Sequence, residues 1–135
     1  MNAKLKGQTV SLEKRIRQFY GLLNERKFAE CYRMIDPVVR DKPSSVTLYQ
    51  YENSLRAFLD HYRQIRVQAI QLDLHLGEPS KLYNDRDFAV GQTSWEDEFG
   101  EKHQFQERWV RDGRSWYTRS TGLVAPPTKR VGSGS

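Results

Sequence analysis

An α+β fold, helices first and an antiparallel sheet after, follows from three features of this chain. Apolar residues recur at helical spacing through Tyr62. From Ile70 onward the apolar period falls to two. The later runs are then separated by short turn sequences, Phe99-Gly100-Glu101-Lys102 and Arg111-Asp112-Gly113-Arg114. Helices that precede consecutive antiparallel strands pack together on one face of their sheet.

Taken in order, residues 1–9 are polar and are expected to be a flexible N-terminus. Leu12, Ile16, Phe19, Tyr20 and Leu23 share one helical face, with Ser11 as N-cap and Glu13 at the positive end of the dipole. Phe28, Cys31, Tyr32 and Ile35 form a second, shorter stripe. It should end at Asp36-Pro37, because a residue before proline avoids helical geometry. Thr47 and Gln50 have capping-box spacing ahead of a third helix over 47–62, with Leu48, Tyr51, Leu55, Phe58, Leu59 and Tyr62 on its apolar side. Ile70, Leu72, Leu74 and Leu76 alternate with Gln71, Asp73 and His75, as in a strand with one buried face. Further strands are expected near 88–98, 102–111 and 114–121. The expected organisation is one domain over 10–123 and a flexible Pro-, then Gly/Ser-rich tail over 124–135.

The turns set an expected register. A two-residue Asp112-Gly113 turn, with positive φ at both positions, puts Trp109 opposite Trp116 and Glu107 opposite Thr118. A three-residue turn at Phe99-Gly100-Glu101 puts Trp95 opposite Phe105, Thr93 opposite Glu107 and Gly91 opposite Trp109. One face then carries Gly91, Thr93, Trp95, Phe105, Glu107, Trp109, Trp116 and Thr118. The other carries Gln92, Ser94, Glu96, Gln104, Gln106, Arg108, Tyr117 and Arg119. The aromatic face should be covered by the helices, and Gly91 and Thr93 among its rings point to a cavity there. Glu107 would then be a carboxylate in an apolar layer, which needs hydrogen-bond donors or a raised pKa.

Composition narrows the function classes. The chain has 135 residues, 37% hydrophobic and 12% aromatic, so it can build a core and is not disordered. No apolar run approaches the roughly 18 residues of a membrane helix. The first residues lack the apolar middle of a signal peptide, so a cytoplasmic protein is expected. The net charge of +5 is spread along the chain without a block of like charges, and no nucleic-acid partner is expected. The lone Cys31 lies among apolar helix positions and reads as a core residue. His61, His75 and His103 lack ligand spacing, and no phosphate-loop or serine-hydrolase motif occurs, so neither metal nor cofactor is implied.

Three helical stretches, a long strand and a meander ending in "RWVRDGRSWYTRS" resemble the nuclear transport factor 2-like superfamily, also called SnoaL-like or cystatin-like α+β cone proteins. The matching pieces are "LEKRIRQFYGLLNERKFAECY", "TLYQYENSLRAFLDHYRQI" and the last strand pair, and they cover about residues 10–123. The resemblance implies three N-terminal helices packed on a curved antiparallel sheet, a cone-shaped α+β roll. It also implies a pocket between sheet and helices and homodimerisation through the outer sheet face. The superfamily contains lyases, isomerases and hydrolases as well as non-catalytic binding domains, and its enzymes' catalytic sets do not map onto this chain position by position.

Two readings lead, with a basic nucleic-acid-associated protein a distant third. In one, the domain is a non-catalytic homodimer that binds a small hydrophobic ligand or a protein in a pocket lined by Tyr32, Tyr51, Tyr62, Thr93, Trp95, Phe105, Trp109, Trp116 and Thr118. In the other, Glu107 and Tyr20 are an acid–base pair of a small lyase, isomerase or hydrolase.

Overall fold

The computed structural model describes residues 3–123. Helix α1 spans Ala3–Asn24, α2 Phe28–Tyr32, α3 Pro37–Arg40 and α4 Leu48–His61. Strands β1 (Arg66–His75), β2 (Phe88–Glu96), β3 (Lys102–Asp112) and β4 (Ser115–Thr118) follow, with one 3-10 turn at Lys81–Tyr83. The strands form an open antiparallel sheet in the order β1-β2-β3-β4. The α+β order is that expected from the sequence.

Two helix boundaries differ from expectation. Helix α1 begins at Ala3, so the residues from 3 to 9 that were expected to be loose are helical, and Ser11 is interior to the helix rather than its cap. A tertiary contact accompanies the extra turns: Gln8 Oε1 accepts from the Trp116 indole at 3.1 Å. Ala3, Lys4, Leu5, Lys6 and Gln8 are good helix formers, and packing against the last strand adds to that local tendency. The second difference is at Pro37. It does not merely end a helix but opens α3, with Asp36 as N-cap accepting from the Val38 amide at 3.2 Å. Proline suits the first helical position, where its missing N–H is not needed. The helices therefore number four rather than three among the described residues. The capping box of α4 forms in both directions, Gln50 N to Thr47 Oγ1 at 3.1 Å and Thr47 N to Gln50 Oε1 at 3.0 Å.

The two faces of the sheet divide as the alternation predicts. Thr93, Trp95, Glu107, Trp109, Trp116 and Thr118 are buried, whereas Gln104, Gln106 and Arg108 are exposed. The inner face packs on Leu12, Ile16, Phe19, Tyr20 and Leu23 of α1 and on Tyr51, Leu55, Phe58 and Leu59 of α4. The register, however, is shifted by two residues in both hairpins. Trp109 pairs with Thr118 and Arg111 with Trp116; Gly91 pairs with Glu107, Thr93 with Phe105 and Trp95 with His103. A shift of two preserves the face of every side chain, whereas a shift of one would have inverted it.

The turns explain both shifts. In the last hairpin Asp112 pairs with Ser115, which leaves Gly113-Arg114 as the turn, and of these two only Gly113 has positive φ, +66°. That is the turn with glycine at its first central position. In the β2–β3 hairpin Asp97 takes control. Its Oδ1 accepts from the amides of Phe99 at 2.8 Å and Glu101 at 3.0 Å. The Asp97 amide in turn donates to the Glu101 carbonyl at 3.0 Å. Aspartate bonding the backbone two residues on is a turn former in its own right, and here it draws the turn one residue toward the N-terminus.

Gly91 also has a different explanation from the one expected. A Cβ there would collide with the backbone oxygen of Gln71. The glycine serves close approach of β1 to β2, not a cavity beside Trp109. The expected tail, 124–135, lies outside the described residues.

Candidate functional site

Glu107 projects from β3 into the layer between sheet and helices, with only 4% of its surface exposed. Trp109 Nε1 donates to its Oε1 at 2.6 Å. Tyr20 Oη and Thr93 Oγ1 each donate to its Oε2 at 2.7 Å. Local geometry supplies each donor. Trp109 is two residues along the same strand and so on the same face. Thr93 is the diagonal neighbour across the β2–β3 pair, reached past the side-chain-free Gly91. Tyr20 arrives from the apolar stripe of α1.

Electrostatics follow from that cage. Burial pushes the Glu107 carboxyl up from its ordinary value, and the bonds from Trp109, Thr93 and Tyr20 pull it back only in part. Burial also pushes the Tyr20 hydroxyl well up, reinforced by the neighbouring Glu107, so Tyr20 remains a donor. Phe105 stacks on Tyr20 at 5.5 Å and on Trp95 at 5.0 Å, and Phe19 meets Trp109 edge-on at 6.1 Å.

The remaining sequence-predicted residues divide between this cage and other places. Thr118 lies in the same layer but pairs with Trp109, and its hydroxyl accepts from the Ser120 amide rather than meeting Glu107. Trp116 points its indole N–H away, toward Gln8. Tyr62 packs on Phe58, Trp95 and His103. Tyr32 donates to the Val46 carbonyl at 3.1 Å and tilts against the Tyr51 ring at 5.5 Å. The Tyr51 hydroxyl and the Trp95 indole N–H are buried without a hydrogen-bond partner among the described residues.

Two buried acids escaped the sequence reading. Asp36 has no exposed surface and is held by a forked pair from Arg86, Nη1 to Oδ1 at 2.9 Å and Nη2 to Oδ2 at 2.8 Å, with Arg119 Nη1 3.5 Å from Oδ2. This cluster ties the start of α3 to the β1–β2 loop and the end of β4. Asp97 also meets His103 Nε2 through its Oδ2 at 2.9 Å. Burial alone would raise the Asp97 carboxyl, but His103 and the Glu101 and Phe99 amides outweigh it and hold the group below the usual range. No short-range pattern marks the arginine cluster on Asp36, because Arg86 and Arg119 are 50 and 83 residues away; Asp97 meets its partners within six residues, and its turn up to Gly100 carries a local signal.

Among the described residues, Asp97, Glu101 and His103 form one set whose ligand atoms lie within 4.8 Å of one another. The turn amides and His103 already occupy both Asp97 oxygens, which accounts for the grouping without an ion. No helix among the described residues is long and apolar enough to cross a membrane. On the outer sheet face a shallow groove of about 530 Å³ runs past Gln71, Asp73, Val90, Gln92, Gln106 and Arg108. Comparison with protein-family models, with curated proteins and with solved structures finds no match to this chain.

Proposed function

We propose that this chain is a non-catalytic binding domain of the nuclear transport factor 2-like kind, which forms a homodimer through the outer face of its sheet and binds a small molecule or a protein. The observation that carries the reading is the Glu107 cage. Both carboxylate oxygens are engaged by side chains of the protein itself, and the group is 96% shielded, so it behaves as a satisfied core acceptor. The outer face supplies the complementary surface: Gln, Arg and Val side chains around a groove, a composition that suits a polar-rimmed interface. Light scattering on the intact chain tests the pairing. A dimer mass that falls to a monomer in Val90→Glu, with the thermal melt unchanged, supports it. A monomer mass for the unaltered chain at high micromolar concentration rejects it.

A second reading rests on one observation, the 2.7 Å bond between Tyr20 and a carboxylate of raised pKa. Such a pair has the parts of a proton-transfer couple for a small lyase, isomerase or hydrolase. Its test is a panel of carbonyl compounds and epoxides. Turnover abolished by Glu107→Gln in a folded protein favours this reading, and absence of turnover across the panel favours the binding domain.

A further inference from the structure

We propose that the cavity between α1 and the β3–β4 turn is an oxyanion site that takes the phosphate or sulfate group of a small molecule. Its volume is about 310 Å³, and its wall includes Ser11, Lys14, Arg15 and Gln18 of α1 with Arg114 of the turn and Ser115 of β4. That volume lies at the lower end of the range of small-molecule sites, roughly 300–1,000 Å³. Three cations converge there and no carboxylate is in the wall. Among the described residues none of the three has an ion pair.

Their states of order differ in a useful way. Arg15 is fixed: its Nε donates to the Trp116 carbonyl at 3.0 Å, its Nη1 to Gln18 Oε1 at 3.3 Å, and its guanidinium lies 5.6 Å from the Tyr117 ring centre. It provides a standing positive charge at little further loss of entropy. Lys14 and Arg114 are exposed and can swing onto a bound group. The Ser11 and Ser115 hydroxyls provide neutral donors. A phosphomonoester carries about −1.5 to −2 charges at pH 7, which matches two or three cations better than a single carboxylate does. Guanidinium and ammonium groups bind such oxygens through charge-assisted hydrogen bonds. The site is separate from Glu107 and from the outer sheet face, so it stands whichever reading of those is correct.

Amide NMR of the full chain tests this, with inorganic phosphate and phenyl phosphate titrated at constant ionic strength against a sodium chloride control. Saturable shifts at residues 11–18 and 114–116 are expected. Lys14→Gln and Arg114→Gln should each weaken binding about tenfold, with unchanged thermal melts because both side chains are exposed. Lys81→Gln removes the same charge from an exposed position outside this wall and should leave binding as it is. Saturation by both probes assigns the site to an organic ester, and saturation by phosphate alone assigns it to the free anion; either supports the oxyanion site. Non-saturating shifts, equal weakening by Lys81→Gln, or binding of an oligonucleotide without a saturable phosphate response would overturn it.

Discussion

Tyr20→Phe isolates one bond of the Glu107 cage. The substitution keeps the ring, and with it the stack on Phe105 and the edge contact with Phe19 at 5.1 Å. It removes only the hydroxyl that donates to Oε2. A hydrogen bond to a charged group contributes about 1.5–3 kcal/mol and one between neutral groups about 0.5–1.5 kcal/mol. The loss should therefore be about 2 kcal/mol at pH values where Glu107 is ionised and about 1 kcal/mol where it is protonated. The sign follows from linkage. Glu107 has a folded pKa raised above its unfolded one, so its contribution to stability is fully present below the unfolded value, about 4.3, and is lost as pH rises through the folded value. Removing a bond that lowers the folded pKa raises it further, so the variant loses more stability over that interval than the parent. Urea melts at several pH values between acid and neutral read the difference, and a carboxyl-carbon NMR titration should show Glu107 displaced upward in the variant. A difference below about 0.5 kcal/mol, or one that does not change with pH, would refute the cage.

Three other outcomes are expected. Trp109→Ala should cost about 3–5 kcal/mol in a denaturant melt, since it removes a fully buried ring and leaves Glu107 Oε1 without its donor; a loss under about 1 kcal/mol would contradict the burial. Asp36→Asn should cost about 3 kcal/mol, because a buried partner is left behind when half of a forked pair is removed, and Arg86→Gln should cost a similar amount in the same melts. The Cys31 thiol, pushed up to about 12 chiefly by burial, should react with a disulfide reagent only at the rate at which the protein opens, so its labelling should follow denaturant concentration rather than pH near neutrality.

The layer structure was legible because periodicity is local. The spacing from Leu12 to Leu23 and the alternation from Thr93 to Thr118 each report a face without reference to any distant residue, and those faces are the observed ones. Glu107 and Tyr20 were both legible as inward-facing for the same reason, and their direct bond joins two faces already identified. Register was less legible because it depends on how each turn closes. Asp97 and Gly113 chose turns one residue away from those expected, and the pairing moved by two with them. The start of α1 and the Asp36 cluster were illegible for a different reason: both rest on partners at the other end of the chain, Trp116 for Gln8 and Arg86 and Arg119 for Asp36. Gly91 stands against the Gln71 carbonyl, a close approach of the kind that an isolated glycine within a strand pattern signals.

The bonds between α1 and the end of the sheet also set an order of events during synthesis. Tyr20 waits 87 residues for Glu107, Arg15 waits 101 for the Trp116 carbonyl, and Gln8 waits 108 for the Trp116 indole. At about 5–20 residues per second, the first helix is made roughly 4–17 s before the carboxylate that satisfies Tyr20. During that interval its apolar stripe has only the other helices and, later, β1 and β2 to cover it. Unless the early helices associate, the nascent chain presents a sticky surface, and slower translation of the sheet would lengthen the exposure. A chain cut before β3 should therefore associate with chaperones or aggregate, although the residues it keeps include all four helices.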